Sequence, residues 1–506
     1  MPKYFWVFQG ENWDVESSEG YIFGPKSSHI GRKNILKIEK DDIIVHFHTG
    51  EQQIKATSVA MSKGDEGTKA GRGEGYFADV EYKPLDFPIS KEELKSIFYD
   101  TYTRSTIIDK NGPFGNKKLE GRTGYCFELS EEAFNLIFFP ETRMQVMKKK
   151  LAQLLGNNKQ LILTGAPGTG KSFLSKELAK EFINIPKGTK EQLSRVDMVQ
   201  FHPSYDYTDF VEGLKPRVNT TSDSNISFEL REGTFKKFCA RAGVIERILF
   251  NDYHNSSTEE IDWTNVKEEL KRYCESKEAI EFWEDWLGKI DRDGVETFEQ
   301  LFKLLPKFVF IIDEINRAEL SNVFGELMYS IESDYRGYKG KIKTQYSSLD
   351  KIDSYVDEKN DWFFIPSNVY IIGTMNDIDR SVETVDFALT RRFAWVEIKV
   401  SHILVPVLKE MLQSSEWGRK ENLNPLIGRI NSLNKVIAND LPGLSQSFEI
   451  GPSYFAKIKE YEVDDKAYQY IWENHLHKIL TEYLKGTGKS KDKYLEICEK
   501  AFIKGE

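Results

Sequence analysis

The chain has 506 residues, 40% hydrophobic and 30% charged, which is the composition of an ordinary soluble globular protein of roughly two to four domains. Its formal net charge of −10 excludes a polycation, so any contact with nucleic acid must come from a local basic patch. The four cysteines are scattered without a CxxC pair, which indicates neither a zinc site nor a disulfide framework. With no recognisable signal peptide and no apolar run long enough to span a bilayer, we expect a cytoplasmic protein.

The first 140 residues are predicted to form a small, β-rich domain. Four runs of β-type residues are separated by Gly, Ser and Asp turns, at 4–8, 43–47, 54–59 and 76–82. Helices are predicted over 91–99 and 130–139, the second capped by Ser130. Two Gly-rich loops, 62–75 and 110–124, supply the basic residues with which DNA could be held. These residues are Lys63, Lys69 and Arg72 in the first loop, and Lys110, Lys117, Lys118 and Arg122 in the second.

The order of features in this region resembles the EVE domains of the PUA/YTH-like group. The matching features are the strand Tyr4-Phe5-Trp6-Val7-Phe8, the pair Asn12-Trp13, Phe23-Gly24 where the family has Trp-Gly, the acidic-apolar run 41–45, and a strand beginning at Lys55. The resemblance implies an α+β barrel that holds a modified, flipped-out base between aromatic side chains, and therefore a reader of modified DNA. The candidates for that aromatic pocket are Trp13, Tyr21, Phe23 and Tyr76. Because aromatic residues in strands usually pack in the core, the pattern alone does not separate pocket from core residues.

The strongest chemical motif lies at residues 161–172, where an apolar strand enters a Gly-rich turn and a helix begins near Lys171. This segment meets the pattern G-x-x-x-x-G-K-[ST] and predicts a nucleoside triphosphate site. Its backbone N–H groups and the helix N-terminus would bind phosphate oxygens, Lys171 would reach the β- and γ-phosphates, and Ser172 would bind Mg²⁺. The predicted nucleotide-binding residues are Gly165, Pro167, Gly168, Thr169, Gly170, Lys171 and Ser172.

Two stretches around this motif are interpreted as structural. Residues 141–160 are predicted to be a charged helical linker. Residues 244–305 are polar with helical periodicity, and we interpret them as an insertion with Trp263, Trp283 and Trp286 as packing anchors.

A second motif is the apolar run 308–312 followed by Asp313 and Glu314, the Walker B arrangement. A continuous apolar run is typical of a central parallel strand that is covered on both faces. Asp313 would hold Mg²⁺ through its water shell, and Glu314 would polarise the attacking water.

A third strand, 368–375, leads to Asn376, whose side chain can position water beside the γ-phosphate. Asp379 follows in the same loop and is a further catalytic candidate. The adjacent Arg391 and Arg392 precede an aromatic residue and a strand at 393–398. In this context we predict that they reach a neighbouring subunit's nucleotide and stabilise transition-state charge there; without the other motifs they would be an ordinary surface pair.

The order of these motifs is that of an AAA+ module, and their detail resembles the McrB family. The segments that carry the resemblance are 201–214, 312–318, 373–381 and 450–455. The resemblance implies the GTPase motor of a McrBC-type modification-dependent restriction system, a ring-shaped (hexameric) assembly, and a separately encoded McrC-like endonuclease as partner. The chain departs from the family in two places: Asp377-Ile378 replaces Thr-Ala, and Pro452 replaces His.

We therefore predict an α/β fold, in which an AAA+ P-loop module with a helical lid follows an EVE/PUA-like domain. The expected domains are 1–140 for recognition of modified DNA, 141–400 for nucleotide binding, and 401–506 for the lid. The expected substrate is GTP (or ATP) with Mg²⁺, and the spacing of the motifs does not distinguish the two nucleotides. Two alternatives stay open: an ATP-driven remodeller whose N-terminal domain binds a protein or peptide, and a nucleotide-gated DNA scaffold without turnover.

Overall fold

The structure, a computed structural model, divides into two compact units, Met1–Lys150 with Lys399–Glu506, and Leu151–Ile398. It describes residues 2–26, 30–69, 71–91, 94–95, 97, 113, 125–184, 194–217, 227–253, 261, 263–274, 276–290, 295, 298–349, 362–378, 391–485 and 491–505. The predicted basic loop 110–124 and most of the predicted helix 91–99 lie outside these residues.

A seven-stranded sheet forms the N-terminal part of the first unit. Its strands are β1 (Tyr4–Gln9), β2 (Tyr21–Pro25), β3 (Ile43–His48), β4 (Gln53–Ala60), β5 (Asp65–Lys69), β6 (Gly73–Ser90) and β7 (Cys126–Leu129). The spatial order is β2-β6-β4-β3-β1-β7, with β5 paired to β6. The β1–β3 pair is parallel, and the other pairs are antiparallel.

The four strands predicted from β-type runs are confirmed. Buried residues alternate with partly exposed ones along β4, and several successive residues are buried along β1 and β3. The buried side chains pack into two apolar clusters. The prediction that 62–75 is a loop was wrong. Residues 65–69 pair with 73–77 as a hairpin, in which Gly71 and Gly73 take φ values of 74° and 82° at the turn. Gly67 lies opposite Gly75, so the glycines that suggested a loop are instead strand and turn positions.

Among the described residues, the helices of this part of the chain are α1 (Trp13–Glu19), α2 (Ile30–Lys33), α3 (Glu131–Phe138) and α4 (Pro140–Asn158), the last of which continues into the second unit. A short 3₁₀ turn follows α2 at Asn34–Lys37. The predicted cap of α3 is confirmed, since the Ser130 side chain accepts a hydrogen bond from the Ala133 N–H at 3.2 Å. Helix α4 covers the stretch that was predicted as a charged helical linker.

The second unit is built on a parallel sheet. The strands of this unit are β8 (Gln160–Thr164), β9 (Val196–Gln200), β10 (Glu212–Arg217), β11 (Ser227–Glu232), β12 (Phe308–Asp313), β13 (Ile342–Lys343), β14 (Trp362–Phe363), β15 (Val369–Thr374) and β16 (Ala394–Glu397). Five of them form one sheet in the order β16-β8-β15-β12-β9, with every pair parallel. The carboxyl ends of β8, β12 and β15 therefore meet at one edge, where ligands of open parallel sheets bind.

The helices of this unit are α5 (Lys171–Phe182), α6 (Tyr207–Phe210), α7 (Thr234–Ala242), α8 (Val244–Tyr253), α9 (Trp263–Tyr273), α10 (Lys277–Lys289), α11 (Phe298–Leu304), α12 (Leu320–Phe324) and α13 (Leu327–Ser330). In the described part of this unit, 3₁₀ turns lie at Ile315–Arg317, Ser333–Tyr335 and Tyr338–Gly340. Helices α8 to α11 occupy the segment that was interpreted as an insertion. Trp283 of this insertion is fully buried and stacks on Phe308 of β12 with ring centroids 6.1 Å apart, while Trp263 and Trp286 are partly buried beside it. The insertion therefore contributes to the same core as the central sheet.

The C-terminal residues are helical, as predicted. The helices are α14 (Val400–Leu412), α15 (Lys420–Asn439), α16 (Pro452–Phe455), α17 (Asp465–Ile471), α18 (His477–Tyr483) and α19 (Lys491–Ile503), with a π-helical stretch at Trp472–Leu476. Short 3₁₀ turns lie at Glu416–Gly418, Gln446–Phe448 and Ala456–Glu460. Pro452, one of the departures from the family pattern, occupies the first turn of α16, where its missing N–H has no helical partner to lose. Among the described residues, no helix is both long and apolar enough to cross a membrane.

Candidate functional site: a phosphate loop at the edge of the parallel sheet

The phosphate loop connects the end of β8 to the start of α5. Three of its glycines, Gly165, Gly168 and Gly170, have φ values of 141°, 74° and 77°. These are conformations that L-residues with a side chain rarely adopt. A Cβ atom on Gly165 would also lie 2.5 Å from the Ile398 carbonyl oxygen, so this position accepts only glycine. The loop backbone is therefore shaped as the sequence motif predicts.

Lys171 is buried beneath this loop, with 6% of its surface exposed. Its Nζ donates to the carbonyl oxygens of Gly165 and Ala166 at 2.9 and 2.8 Å and to the Thr169 hydroxyl at 3.2 Å. Burial lowers the pKa of Lys171 to about 8, and the carboxylates of Asp377, Glu314 and Asp313 act in the opposite direction. The cation is thus held inside the loop by its carbonyl groups, close to three acids.

Asp313, at the end of β12, connects the phosphate loop to the neighbouring strand. Its Oδ1 accepts hydrogen bonds from the Ser172 hydroxyl at 2.6 Å and from the Thr374 hydroxyl at 2.5 Å. These three oxygens are the hard donors that Mg²⁺ prefers. Within the described ranges, no cluster of three or more His, Cys, Asp or Glu residues could hold a metal ion. The donor set therefore fits an ion that is shared between one carboxylate, hydroxyl groups and substrate phosphates.

Glu314 and Asn376 face each other just beyond the carboxyl ends of the paired strands β12 and β15. The Asn376 Nδ2 donates to Glu314 Oε1 at 2.7 Å, and Arg317 Nε donates to Glu314 Oε2 at 3.3 Å. Glu314 has a left-handed backbone conformation with φ of 52°, which is uncommon for a residue with a side chain. The Glu314 N–H donates a hydrogen bond to the Thr374 hydroxyl, with the nitrogen and oxygen 3.3 Å apart. Both oxygens of the carboxylate are thus oriented by named partners.

Asp377, which departs from the family pattern, lies beside the phosphate loop. Its N–H donates to the Gly165 carbonyl oxygen at 3.5 Å. Burial raises the pKa of the Asp377 carboxyl, while the nearby Lys171 cation lowers it. A third acid is therefore added to the surroundings of Lys171. Asp379, predicted as a catalytic candidate, lies outside the described residues.

The two predicted intersubunit arginines have different surroundings. Arg391 is exposed. Arg392 has a side chain that is 11% exposed and forms an ion pair with Glu332, with Nη2 and Oε1 2.7 Å apart. The backbone oxygen of Arg392 also accepts a hydrogen bond from Gln160 Nε2 at 2.7 Å.

Sequence reasoning missed Thr374 and Gln160. The hydroxyl of Thr374 contacts both Asp313 and Glu314, and the signal that could have found it is its place two residues before Asn376 at the strand end. Gln160 gives no such signal, because its partners lie 176 and 232 residues away in the chain.

In the N-terminal sheet, three of the four candidate pocket aromatics are buried. Tyr21, Phe23 and Tyr76 are 2%, 1% and 4% exposed, whereas Trp13 is partly exposed. The Trp13 ring meets Tyr82 edge-on with centroids 5.8 Å apart, and the Lys55 ammonium lies 5.5 Å from its centroid. Among the four candidates, Trp13 alone is more than marginally exposed to solvent.

A buried polar network that the sequence did not predict lies behind Trp13. Glu16 is 1% exposed and accepts hydrogen bonds from Gln9 and Tyr125 at 2.6 Å each and from Arg72 at 2.7 Å. Burial raises the pKa of Glu16, and its partners lower it. His46 lies between Gln9 and Ser58, and burial lowers its pKa to about 3, so its ring is neutral at physiological pH.

The basic residues of segment 62–75 are paired with acids. Lys63 contacts Glu39 at 3.1 Å and Lys69 contacts Asp79 at 2.9 Å. Arg72 contacts Glu16, and its guanidinium lies 5.1 Å from the Phe23 ring centroid. Of the three, Lys63 has the most exposed side chain, at 66%.

A phosphate loop, an Asp-Glu strand end and an asparagine strand end on one parallel sheet define a P-loop nucleoside triphosphatase of the AAA class. In agreement, residues 160–393 match the AAA domain of the dynein-related subfamily. Residues 425–490 match the alpha-helical lid domain of McrB. The chain therefore has a McrB-type AAA domain and a McrB lid domain.

Two curated relatives come from bacterial restriction systems. The chain is 30% identical over 385 residues to the type IV methyl-directed restriction enzyme EcoKMcrB subunit of Escherichia coli K12, a match that covers 76% of this chain and 64% of that subunit. It is 25% identical over 275 residues to the type II restriction enzyme BsuMI component YdiS of Bacillus subtilis 168, covering 53% of this chain and 65% of that component. The matches thus span just under two thirds of each relative's length.

Solved structures match with low overall scores. Rpa0253 from Rhodopseudomonas palustris is 15% identical, with 27% of this chain and 90% of that chain covered and a TM-score of 0.21. PCH-2 from C. elegans is 12% identical, with 74% and 68% covered and a TM-score of 0.19. At these scores neither likeness carries information on function.

Proposed function

We propose that this protein is the DNA-binding motor subunit of a modification-dependent restriction system. It hydrolyses a nucleoside triphosphate, GTP in preference to ATP, and drives a separately encoded McrC-like endonuclease. The relatives named above belong to restriction enzymes, and their likeness to this chain supports this assignment over a protein-remodelling role.

The observation that carries the enzymatic part is the orientation of Glu314 beside Asp313. Asp313 is aligned by the Ser172 and Thr374 hydroxyls, which is the donor set for the Mg²⁺ of a bound triphosphate. Glu314 is aligned separately, through Asn376 and Arg317. A bound Mg²⁺ would be held by Ser172 and Asp313 and would supply positive charge that stabilises the phosphate oxygens during hydrolysis. Glu314 and Asn376 then orient the attacking water, and Glu314 accepts its proton.

Lys171 supplies the mobile positive charge on the β- and γ-phosphates. In the structure its Nζ is bonded to two loop carbonyls, so a triphosphate must replace these contacts with phosphate oxygens. The pKa of about 8 means that part of the Lys171 population is neutral at weakly alkaline pH. An arriving phosphate favours the charged form and restores the full cation.

The two arginines divide the intersubunit role. The exposure of Arg391 makes it the residue that reaches the nucleotide of the adjacent subunit in a ring, for which we propose a hexamer. Arg392, held by Glu332 and by the Gln160 amide, fixes the backbone from which Arg391 extends.

For the N-terminal domain we propose that Trp13 supplies the aromatic face on which a modified, flipped-out base stacks. Its partial exposure and the neighbouring Lys55 cation support this role, whereas the burial of Tyr21, Phe23 and Tyr76 favours support of the domain core. The polar network around Glu16 holds the strands behind Trp13.

The deciding experiment measures turnover of GTP and ATP by the full chain, alone and with methylated, hydroxymethylated or unmodified DNA. We expect faster hydrolysis of GTP and tighter binding of a modified duplex. Preference for ATP together with equal binding of all duplexes would overturn the restriction-motor proposal in favour of an ATP-driven remodeller. Absence of turnover under every condition, with binding of nucleotide retained, would instead support a nucleotide-gated scaffold.

A further inference from the structure

The side-chain amide of Gln160 joins the phosphate-loop strand to the arginine pair. Gln160 is the first residue of β8 and is 2% exposed. Its Nε2 donates to the Arg392 carbonyl oxygen at 2.7 Å, and its Oε1 accepts from Arg336 Nη2 at 2.9 Å. Because both ends of the amide are engaged, its orientation is determined and the two contacts depend on each other.

Arg336 holds the other side of this arrangement. It is 6% exposed, and its Nε and Nη1 donate to the Ile331 and Val369 carbonyl oxygens at 3.0 and 3.4 Å. The next residue after Ile331 is Glu332, whose carboxylate binds the Arg392 guanidinium at 2.7 Å. Arg336 therefore braces both groups that contact Arg392, namely Gln160 at its backbone and Glu332 at its side chain.

Buried polar side chains are normally hydrogen-bonded, so the presence of hydrogen-bond partners on the Gln160 amide would not by itself assign a role to this residue. The distinguishing fact is that the two arms of the network end on the same residue, Arg392, and on its two different parts. The neighbouring Arg391 is left exposed. Because both the backbone and the side chain of Arg392 are held, the Arg391 side chain next to it can adopt few orientations.

We propose that Gln160 and Arg336 are positioning residues, which hold the backbone at Arg392 so that Arg391 is aimed at the nucleotide of the adjacent subunit. This role rests on the proposed action of Arg391 in trans. Strand β8 of a subunit then has two roles. Its carboxyl end leads into that subunit's own phosphate loop, and its first residue, Gln160, supports the arginine that acts on the nucleotide of the neighbouring subunit. Displacement of a catalytic group by about 1 Å can lower a rate by about 100-fold.

The test uses Gln160→Glu, because a carboxylate keeps an acceptor for Arg336 but has no N–H to donate to the Arg392 carbonyl. We expect kcat to fall about 10- to 100-fold with the KM for nucleotide nearly unchanged. The matched control is Asn434→Asp, the same amide-to-acid change in helix α15. Asn434 is also buried, its Oδ1 accepts from the Ile450 N–H at 2.8 Å and its Nδ2 donates to the Ile450 carbonyl oxygen at 3.1 Å, so the acid again keeps the acceptor and loses the donor. The control should retain wild-type kcat.

Mixed rings separate an effect on the neighbour from an effect on the variant's own phosphate loop. Mixing Gln160→Glu with Lys171→Ala protomers should restore turnover, since an intact loop then meets a properly held Arg391. Mixing Gln160→Glu with Arg391→Ala protomers should restore none, since no interface contains a correctly held Arg391. The reverse pattern, or wild-type kcat in Gln160→Glu alone, would overturn the proposal.

Two further measurements keep the outcome interpretable. Lys171→Ala mixed with Arg391→Ala tests the trans role itself, and failure of that mixture to regain turnover in rings shown to be mixed would refute the proposed function rather than the positioning role alone. If Gln160→Glu does not fold, Glu332→Gln cuts the other arm at a more exposed site, 33% exposed, and should reproduce the same mixing pattern. Wild-type kcat in Glu332→Gln would then refute the bracing of Arg392.

Discussion

Replacing Glu314 by Gln is the sharpest perturbation of the proposed hydrolytic site. The amide has the shape of the carboxylate, so its oxygen can still accept the 2.7 Å hydrogen bond from Asn376. It cannot accept a proton from water, and its NH₂ group replaces the oxygen that faces Arg317 Nε at 3.3 Å. The substitution therefore removes the proposed base while leaving the backbone and the hydrogen bond from Asn376 in place.

The expected loss follows from that chemistry. A positioned general base contributes about 10²–10⁴-fold to a rate, so kcat should fall by this factor, equivalent to about 2.7–5.4 kcal/mol in the activation barrier. Affinity for the triphosphate should change less than about threefold, or about 0.7 kcal/mol, because Lys171, Ser172 and Asp313 are untouched.

The assay is single-turnover hydrolysis of GTP and ATP, with nucleotide binding measured separately by calorimetry. Glu319→Gln provides the control, since this exposed carboxylate lies in the same segment and accepts a hydrogen bond from Asn322. The control should hydrolyse at the wild-type rate. If Glu314→Gln also retains turnover within threefold of the wild type, the assignment of Glu314 as base is refuted and Asp379 becomes the next candidate.

Three other outcomes are expected. Lys171→Ala should abolish triphosphate binding in a calorimetric titration, and unchanged affinity for GTP and ATP would contradict the assigned phosphate contact. Lys236→Met should lower the free energy of unfolding by about 3–5 kcal/mol, because it leaves the buried Glu212 carboxylate without its cation. This carboxylate is 1% exposed and lies 2.5 Å from Lys236 Nζ. Lys215→Met, which breaks a half-exposed pair in the same unit, should lower it by less than about 1 kcal/mol in the same denaturant titration, and equal losses would refute the role of burial. Trp13→Ala in the full chain should weaken binding of modified duplex by about 1–3 kcal/mol per stacked base and leave unmodified duplex unaffected, and equal weakening of both would remove Trp13 from the pocket.

In the candidate nucleotide site, the shape of the phosphate loop and the positions of the polar residues at the strand ends were predictable, because each is encoded locally. A phosphate loop needs glycines and a lysine within eight residues, and Asp313 and Asn376 each follow an apolar run directly. Parallel strands then bring these ends to one edge, so the register of the sheet adds only the final distances, such as that between Asp313 and Ser172. Local sequence patterns and the order of the strands were therefore sufficient to predict that these residues lie together at one edge of the sheet.

The contacts around the arginine pair were not predictable in this way. Gln160 and Arg336 are ordinary residues in sequence, and their meeting depends on how distant segments pack. The same limit explains the hairpin at residues 65–77, since glycines signal a turn or loop unless the cross-strand partners are known. It also explains why the burial of the aromatic candidates was not predictable: Trp13 begins α1 and is partly exposed, whereas Tyr21 begins β2 and is 2% exposed.

The backbone of Glu314 sets the chemistry of this site against the stability of the fold. A left-handed conformation costs a residue with a side chain roughly 1–2 kcal/mol, whereas glycine adopts it without that steric penalty and aspartate or asparagine adopts it more readily than glutamate. Glycine would relax the turn after β12 but would lack the carboxylate to which we assign the role of base, and aspartate would be one methylene shorter than the distance to Asn376 requires. Under the proposed mechanism, a more stable backbone at this residue would therefore come with a loss of turnover.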